Sequence, residues 1–246
     1  MSALRVERDG MVLRVTMARP DRRNAFDAGL IDELAAAFAD VGDARAVVLA
    51  GEGQSFSAGA DVEWQRLSIE LTYEENVEDY RRLHRMLESI WRCPAPVVAR
   101  IQGHALGGGA GLAACVDIGM AGEDAVFGFS EVRLGIMPAV ISPMVLAKIG
   151  AAQARRYFLT GERFDAAVAL RIGLVQEVAS DLDAAVERVV EGILASGPSA
   201  VREAKRLVLE PGELEELLER AAAQRVSDEG QDGLRAFLEK RAPRWR

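Results

Sequence analysis

The sequence predicts an α/β layer fold with parallel strand pairing. Short apolar runs alternate with longer amphipathic stretches, the order expected of β-α-β units. The 246 residues suffice for one substantial core, or for one core with an appendage. Half of the residues are apolar and 28% are charged, the balance of an ordinary folded chain.

The elements follow in order. Leu4 and Val6, then Met11, Leu13 and Val15, alternate with polar residues around Asp9-Gly10, a hairpin signal because both turn positions favour positive φ. Residues 27–40 (DAGLIDELAAAFAD) read as a helix, with Leu30, Leu34 and Phe38 at helical spacing and Asp27 placed to cap it. The apolar run 46–50 reads as a strand. A glycine-rich bend follows it, then the turn FSAGAD (56–61) and a short helix near 61–67. Residues 73–92 form a charged amphipathic helix that Pro94 and Pro96 close off. PVVARIQG (96–103) resumes as strand, GGGAGLAAC (107–115) opens a helix of small residues, and VDIGMAG (116–122) returns as strand. From about residue 142 helices dominate. Within 213–226, Leu214, Leu217, Leu218, Ala221 and Ala222 share one stripe that must cover something. It packs on the chain's own core or on another subunit; the subunit is the expectation, since the preceding domain already reads as complete. No internal repeat or low-complexity linker is visible.

Composition narrows the function classes. The longest apolar stretches stop short of the ~20 residues that a membrane span requires. The N-terminal MSALRVERDG lacks the basic-then-apolar pattern of a signal peptide. Cys93 and Cys115 show neither metal spacing nor a disulfide framework, so a reducing cytoplasm and no bound metal are expected. A net charge of −8 argues against a broad nucleic-acid surface and leaves room for a small anionic ligand held by a local cluster of bases.

The glycine runs invite a nucleotide-binding reading, which fails: counted from Gly107, the third glycine of G-x-G-x-x-G falls on Leu112. Gly107-Gly108-Gly109 instead supply a helix start with no side chain to block approach. The first N–H groups of a helix lack internal partners, and its dipole favours negative charge there. Ala58-Gly59 after a strand offers a comparable amide. If both N–H groups meet at one spot they form an oxyanion hole for a polarised carbonyl; if not, each motif is only a tight turn that takes small residues. A polarised carbonyl acidifies its α-carbon, so an acid or base belongs nearby. Glu131, within FGFSEVRLGIMP (127–138), has Phe127, Phe129, Val132 and Leu134 around it to bury it and raise its pKa. The competing reading is a surface glutamate paired with Arg133. His84 reads as a helix-face residue and His104 as a turn or packing residue, and no Ser-His-Asp or Cys-His order stands out.

Taken together, RPDRRNAF (19–26), FSAGADV (56–62), GHALGGGAGLA (103–113), FGFSEVRLGIMP (127–138), LTGERFDAAVALRIGLVQEV (159–178) and GLRAFLEKR (233–241) resemble the crotonase superfamily, the enoyl-CoA hydratase/isomerase family. The likeness spans nearly the whole chain. It implies a crotonase-like spiral of repeated ββα units over residues 1–195, with a C-terminal helical region over 196–246 that drives trimerisation, often as a dimer of trimers. It implies an acyl-CoA thioester as ligand, with coenzyme A arriving as part of the substrate and no other cofactor. The oxyanion donors would be the amides of Ala58 and Gly108, beside Gly107. Ala25 and the run Ala58, Gly59, Ala60, Asp61, Val62 would line the pantetheine and thioester path. Arg22 and Arg23 would meet the phosphates of CoA, and Phe237 and Lys240 its nucleotide end, often in a neighbouring subunit.

One departure stands out. Hydratases of this family carry a second glutamate in the helix opened by the glycines, where this chain has Gly111. The expected activity is hydration of a 2-enoyl-CoA, with the stretch through Pro138-Ala139-Val140-Ile141-Ser142-Pro143 resembling methylglutaconyl-CoA-type hydratases of leucine breakdown. The alternatives are an isomerase that uses Glu131 alone, or a CoA-ester-binding protein whose chemistry has lapsed. The acyl pocket would draw on residues within 62–90 and 134–145.

Overall fold

The computed structural model describes residues 2–246. It opens with an antiparallel hairpin, β1 (Leu4–Asp9) and β2 (Val12–Met17), followed by α1 (Ala28–Ala39), β3 (Ala46–Gly51), α2 (Val62–Ser68) and α3 (Tyr73–Trp91). The centre holds β4 (Val97–Ile101), β5 (His104–Leu106), α4 (Gly108–Cys115), β6 (Ile118–Gly122), β7 (Val126–Gly128) and α5 (Ser142–Thr160). Then come β8 (Arg163–Asp165), α6 (Ala166–Arg171), β9 (Glu177–Ala179), α7 (Leu182–Leu194), α8 (Pro198–Leu209), α9 (Leu214–Val226) and α10 (Asp228–Glu239).

The main sheet has the order β1-β2-β3-β4-β6-β9, parallel except for the β1–β2 hairpin. A small second sheet has the order β5-β7-β8. Consecutive strands therefore divide between the sheets: β4 and β6 lie in the first, β5 and β7 in the second, and a helix (α4, then α5) follows each pair. This is the α/β crotonase-like spiral of strand–strand–helix units, although the sequence shows no repeat. The repeat lies in backbone path rather than in residue identity.

Most elements fall where expected, for local reasons. Asp27 caps α1 by accepting from the Leu30 N–H at 2.9 Å, and Leu30, Ile31, Leu34 and Phe38 face the core. Thr72 and Glu75 form a reciprocal capping box at the start of α3. Three details differ. Asp9 pairs with Val12, so the hairpin loop is Gly10-Met11, with positive φ (57°) at Gly10 alone. The strand expected over 96–103 ends at Ile101, and the chain changes sheet across Gln102-Gly103, whose turn is held by the Gln102 amide donating to Gly51 O at 2.7 Å. The three-residue strands β5, β7, β8 and β9 are too short to show a period. Among the described residues no helix is long and apolar enough to cross a membrane.

Candidate active site

The turn 56–61 is stitched to β5. Ser57 N–H donates to His104 O at 2.9 Å, and Leu106 N–H donates to Ser57 O at 3.0 Å. The loop before α1 holds it from the other side, with Phe26 N–H donating to Gly59 O (2.7 Å) and Asp61 N–H donating to Phe26 O (2.8 Å). These bonds decide which amides remain free. Ala58 N–H, the expected donor, is consumed by Arg23 O at 2.9 Å. Ala60 N–H has no acceptor among the described residues. The Arg23 carbonyl takes the Ala58 amide and Ser57 Oγ the Gly59 amide, so the free donor lies at Ala60, two residues along.

The glycine run meets this turn directly. Gly107 sits at φ 51°, a conformation that L side chains rarely adopt, and its N–H is bound to Gly128 O at 2.8 Å. Gly108 begins α4 and its N–H has no partner among the described residues, as expected at a helix start. A Cβ added to Gly59 would lie 3.2 Å from Gly108 N, and one added to Gly108 would lie 2.8 Å from the Phe26 ring. Small residues at both places let two bends from distant parts of the chain touch.

Both bends open onto a cavity of about 930 Å³, its mouth included. Ala58, Ala60, Gly107, Gly108 and Glu131 line it. Glu131 begins a short 3-10 turn, Glu131–Leu134, that follows β7. Phe127 and Phe129, both fully buried and packed on Phe164 and Phe158, anchor the approach to it. Leu134, in contrast, is exposed at the mouth. Glu131 makes no ion pair with Arg133 among the described residues. Its Oε2 is buried with no hydrogen-bond partner, and its Oε1 lies 3.5 Å from where a Cβ on Gly107 would be. Burial pushes the Glu131 carboxyl above the usual carboxylate range, and a hydrogen bond from its own backbone opposes the shift.

Gly111, one turn into α4, is walled in. A Cβ there would lie 2.4 Å from Ile141 Cγ2, and Ile141 is buried. The side chain of Ile141 fills the space that a glutamate at 111 would need.

The remaining expected contacts divide. Ala60 lines the cavity; Gly59 does not, because it is pressed against the Leu106 carbonyl. Asp61 is turned inward, where it caps α2 and pairs with Arg19 at 3.1 Å, and it is absent from the cavity lining. Val62 is 78% exposed outside the cavity. Ala25 is buried, and its carbonyl accepts from Arg19 at 2.6 Å. Arg22 borders a neighbouring shallow depression that shares Trp64 with the cavity, whereas exposed Arg23 contributes only its carbonyl to Ala58. Phe237 and Lys240 are exposed at the end of α10 and do not reach the cavity within this chain.

The rest of the cavity lining draws on both segments expected to shape a pocket, Trp64 to Leu83 and Leu134 to Ile141. Sequence reasoning missed Ile141, the Ala60 amide, and Asp79. A signal for the last existed: Asn76, Asp79, Tyr80 and Leu83 fall at helical spacing on one face of α3. Burial raises the Asp79 carboxyl from its ordinary value, and the Trp64 indole beside it opposes the shift.

Comparison with known proteins identifies the family. Residues 7–246 match the enoyl-CoA hydratase/isomerase family profile. The chain is 33% identical over 258 residues to the cyclohexa-1,5-dienecarbonyl-CoA hydratase of Thauera aromatica, covering 98% of this chain and 95% of that one. An enoyl-CoA hydratase structure from Shewanella pealeana superposes with a TM-score of 0.93 at 38% identity, covering 99% of this chain and 96% of the other. AtuE of Pseudomonas aeruginosa does so with a TM-score of 0.94 at 39% identity, covering 99% of each chain. The chain belongs to the enoyl-CoA hydratase/isomerase family, the crotonase superfamily.

Proposed function

We propose that this protein is an enoyl-CoA hydratase that works with one carboxylate. The observation that carries the proposal is the convergence of a partnerless, buried glutamate oxygen with two unpaired main-chain amides on one cavity. The donors of the oxyanion hole are the Ala60 and Gly108 N–H groups, in place of the Ala58 amide that the sequence pointed to. The thioester oxygen of a 2-enoyl-CoA binds between them. Glu131 removes a proton from water, the oxygen adds to the β-carbon, and the π electrons move onto the thioester oxygen as an enolate. The protonated Glu131 then returns its proton to the α-carbon, which closes the balance. The amides hold more charge in the enolate than in the ground-state carbonyl, and that difference lowers the barrier. Coenzyme A enters only as part of the substrate. Arg22, on the neighbouring depression, would meet its phosphates, and Phe237 and Lys240 would do so only from a neighbouring subunit. The exposed apolar residues of α9 and α10 support assembly into trimers or pairs of trimers.

One observation favours a second reading. Ile141 occupies the space of a second carboxylate, and a lone Glu131 also suffices to shuttle a proton along an acyl chain, as an isomerase. The narrower methylglutaconyl-type substrate is less well supported, because no Lys, Arg or His lines the cavity to receive its distal carboxylate. A substrate panel tests the proposal. Crotonyl-CoA losing its conjugated absorbance with water uptake supports the hydratase; a 3-enoyl-CoA gaining conjugation supports the isomerase. Binding of CoA esters without either reaction would leave a lapsed enzyme.

A further inference from the structure

The cavity wall built by α2 and α3 carries polar side chains. Trp64 comes from α2, and Asn76, Asp79 and Tyr80 come from α3. Asp79 and Glu131 are the only carboxyl groups on the lining, and no cationic side chain of the described residues joins them there. The cation that acts on Asp79 is Arg82, which lies outside the lining and is engaged by both carboxylate oxygens of Asp32. Asp79 lines the cavity without an ion pair among the described residues, and the Trp64 indole lies beside it.

We propose that Asp79 sets the acyl selectivity of this site, favouring a neutral tail that donates a hydrogen bond, such as a hydroxyl, and excluding a tail that ends in a carboxylate. A carboxylate tail would bring a further negative charge beside Asp79 into a partly desolvated space with no cationic side chain on its lining, and like charges so placed are strongly unfavourable. A hydroxyl tail adds a donor to the Asp79 carboxylate, a charge-assisted bond. Tyr80 and Asn76 on the same face can hold the hydroxyl oxygen in turn. This inference rests on reading the cavity as an acyl-CoA site.

Saturated thioesters, which cannot react, test it by binding alone. Hexanoyl-CoA, ω-hydroxyhexanoyl-CoA and adipoyl-CoA differ only at the tail, so the CoA contribution cancels in ratios of Kd measured by calorimetry. The wild-type protein should bind ω-hydroxyhexanoyl-CoA about tenfold or more tighter than adipoyl-CoA. Asp79→Asn, its fold verified by circular dichroism, should shrink that ratio to about threefold or less. Adipoyl-CoA binding the wild type as tightly as the hydroxylated ester would overturn the inference without any variant being needed. So would a ratio that survives Asp79→Asn. Hexanoyl-CoA that binds without tail selectivity overturns this inference alone; hexanoyl-CoA that fails to bind at all overturns the acyl-CoA reading, and this inference with it.

Discussion

Glu131 is held where its charged form is poorly solvated, and two consequences follow at the scale of the residue. As a base it must be ionised, so kcat/KM for enoyl-CoA should rise with pH through a value above the ordinary carboxylate range; a pH–rate profile measures this. Stability has the opposite sense. A carboxyl whose folded pKa lies above its unfolded one adds stability that is present below the unfolded pKa and lost as pH rises through the folded pKa. Glu131→Gln should therefore melt no lower than wild type at neutral pH while turnover falls ~10²–10⁴-fold. The two amides separate in the same manner. An ester in place of the Ala60 amide, made by hydroxy-acid incorporation, should raise the barrier by ~2.7–4 kcal/mol. The same change at Ala58 removes its bond to Arg23 O and should appear as a lower melting temperature. At position 111 the obstacle is steric: Gly111→Glu should cost about 1–3 kcal/mol by denaturant unfolding, and adding Ile141→Ala should return much of it.

At the scale of the element, the site depends on how its supports are tied together. Turn 56–61 gains its geometry from pairing with β5 on one side and the Phe26 loop on the other, so neither segment determines the free amide alone. The helical tail is tied to the main sheet through α8. Lys205, nearly buried, donates to Asp117 Oδ2 at 2.7 Å and to Ala95 O at 3.1 Å, and the same Asp117 oxygen accepts from Val97 N–H at the start of β4. Removing one partner of such a pair leaves the other charge stranded. Lys205→Met should destabilise by ~3–5 kcal/mol, read from the shift of the urea midpoint. Lys148 has a related position in α5, where it donates to the Val116 and Asp117 carbonyls, and burial lowers its pKa from the usual lysine value.

At the scale of the whole molecule, the unfinished surface is the C-terminal one. Leu214, Leu218 and Val226 on α9, with Phe237 and Leu238 on α10, are each more than half exposed, and α9 buries no residue of its own. An apolar stripe of that kind needs a partner. Light scattering should find three or six chains in solution, and replacing Leu214 and Leu218 by Glu should yield smaller species. A wild-type monomer would sink the assembly proposal and remove the route by which Phe237 and Lys240 reach a CoA.

What the residues determined by themselves was local: period, caps and turns placed α1, β3, α3 and α4 within a residue or two, because amphipathic spacing and capping act over one or two helical turns. The motif residues also marked the two bends and Glu131 as one site. Only tertiary structure decided which amide stays free, since Ala58 loses its N–H to Arg23 and Ala60 does not, a matter of pairing between segments. It alone decided that Ile141 closes the space beside Gly111 and that Asp79 joins Glu131 on one cavity. Those facts belong to contacts between residues tens of positions apart, and no local pattern encodes a distance in space.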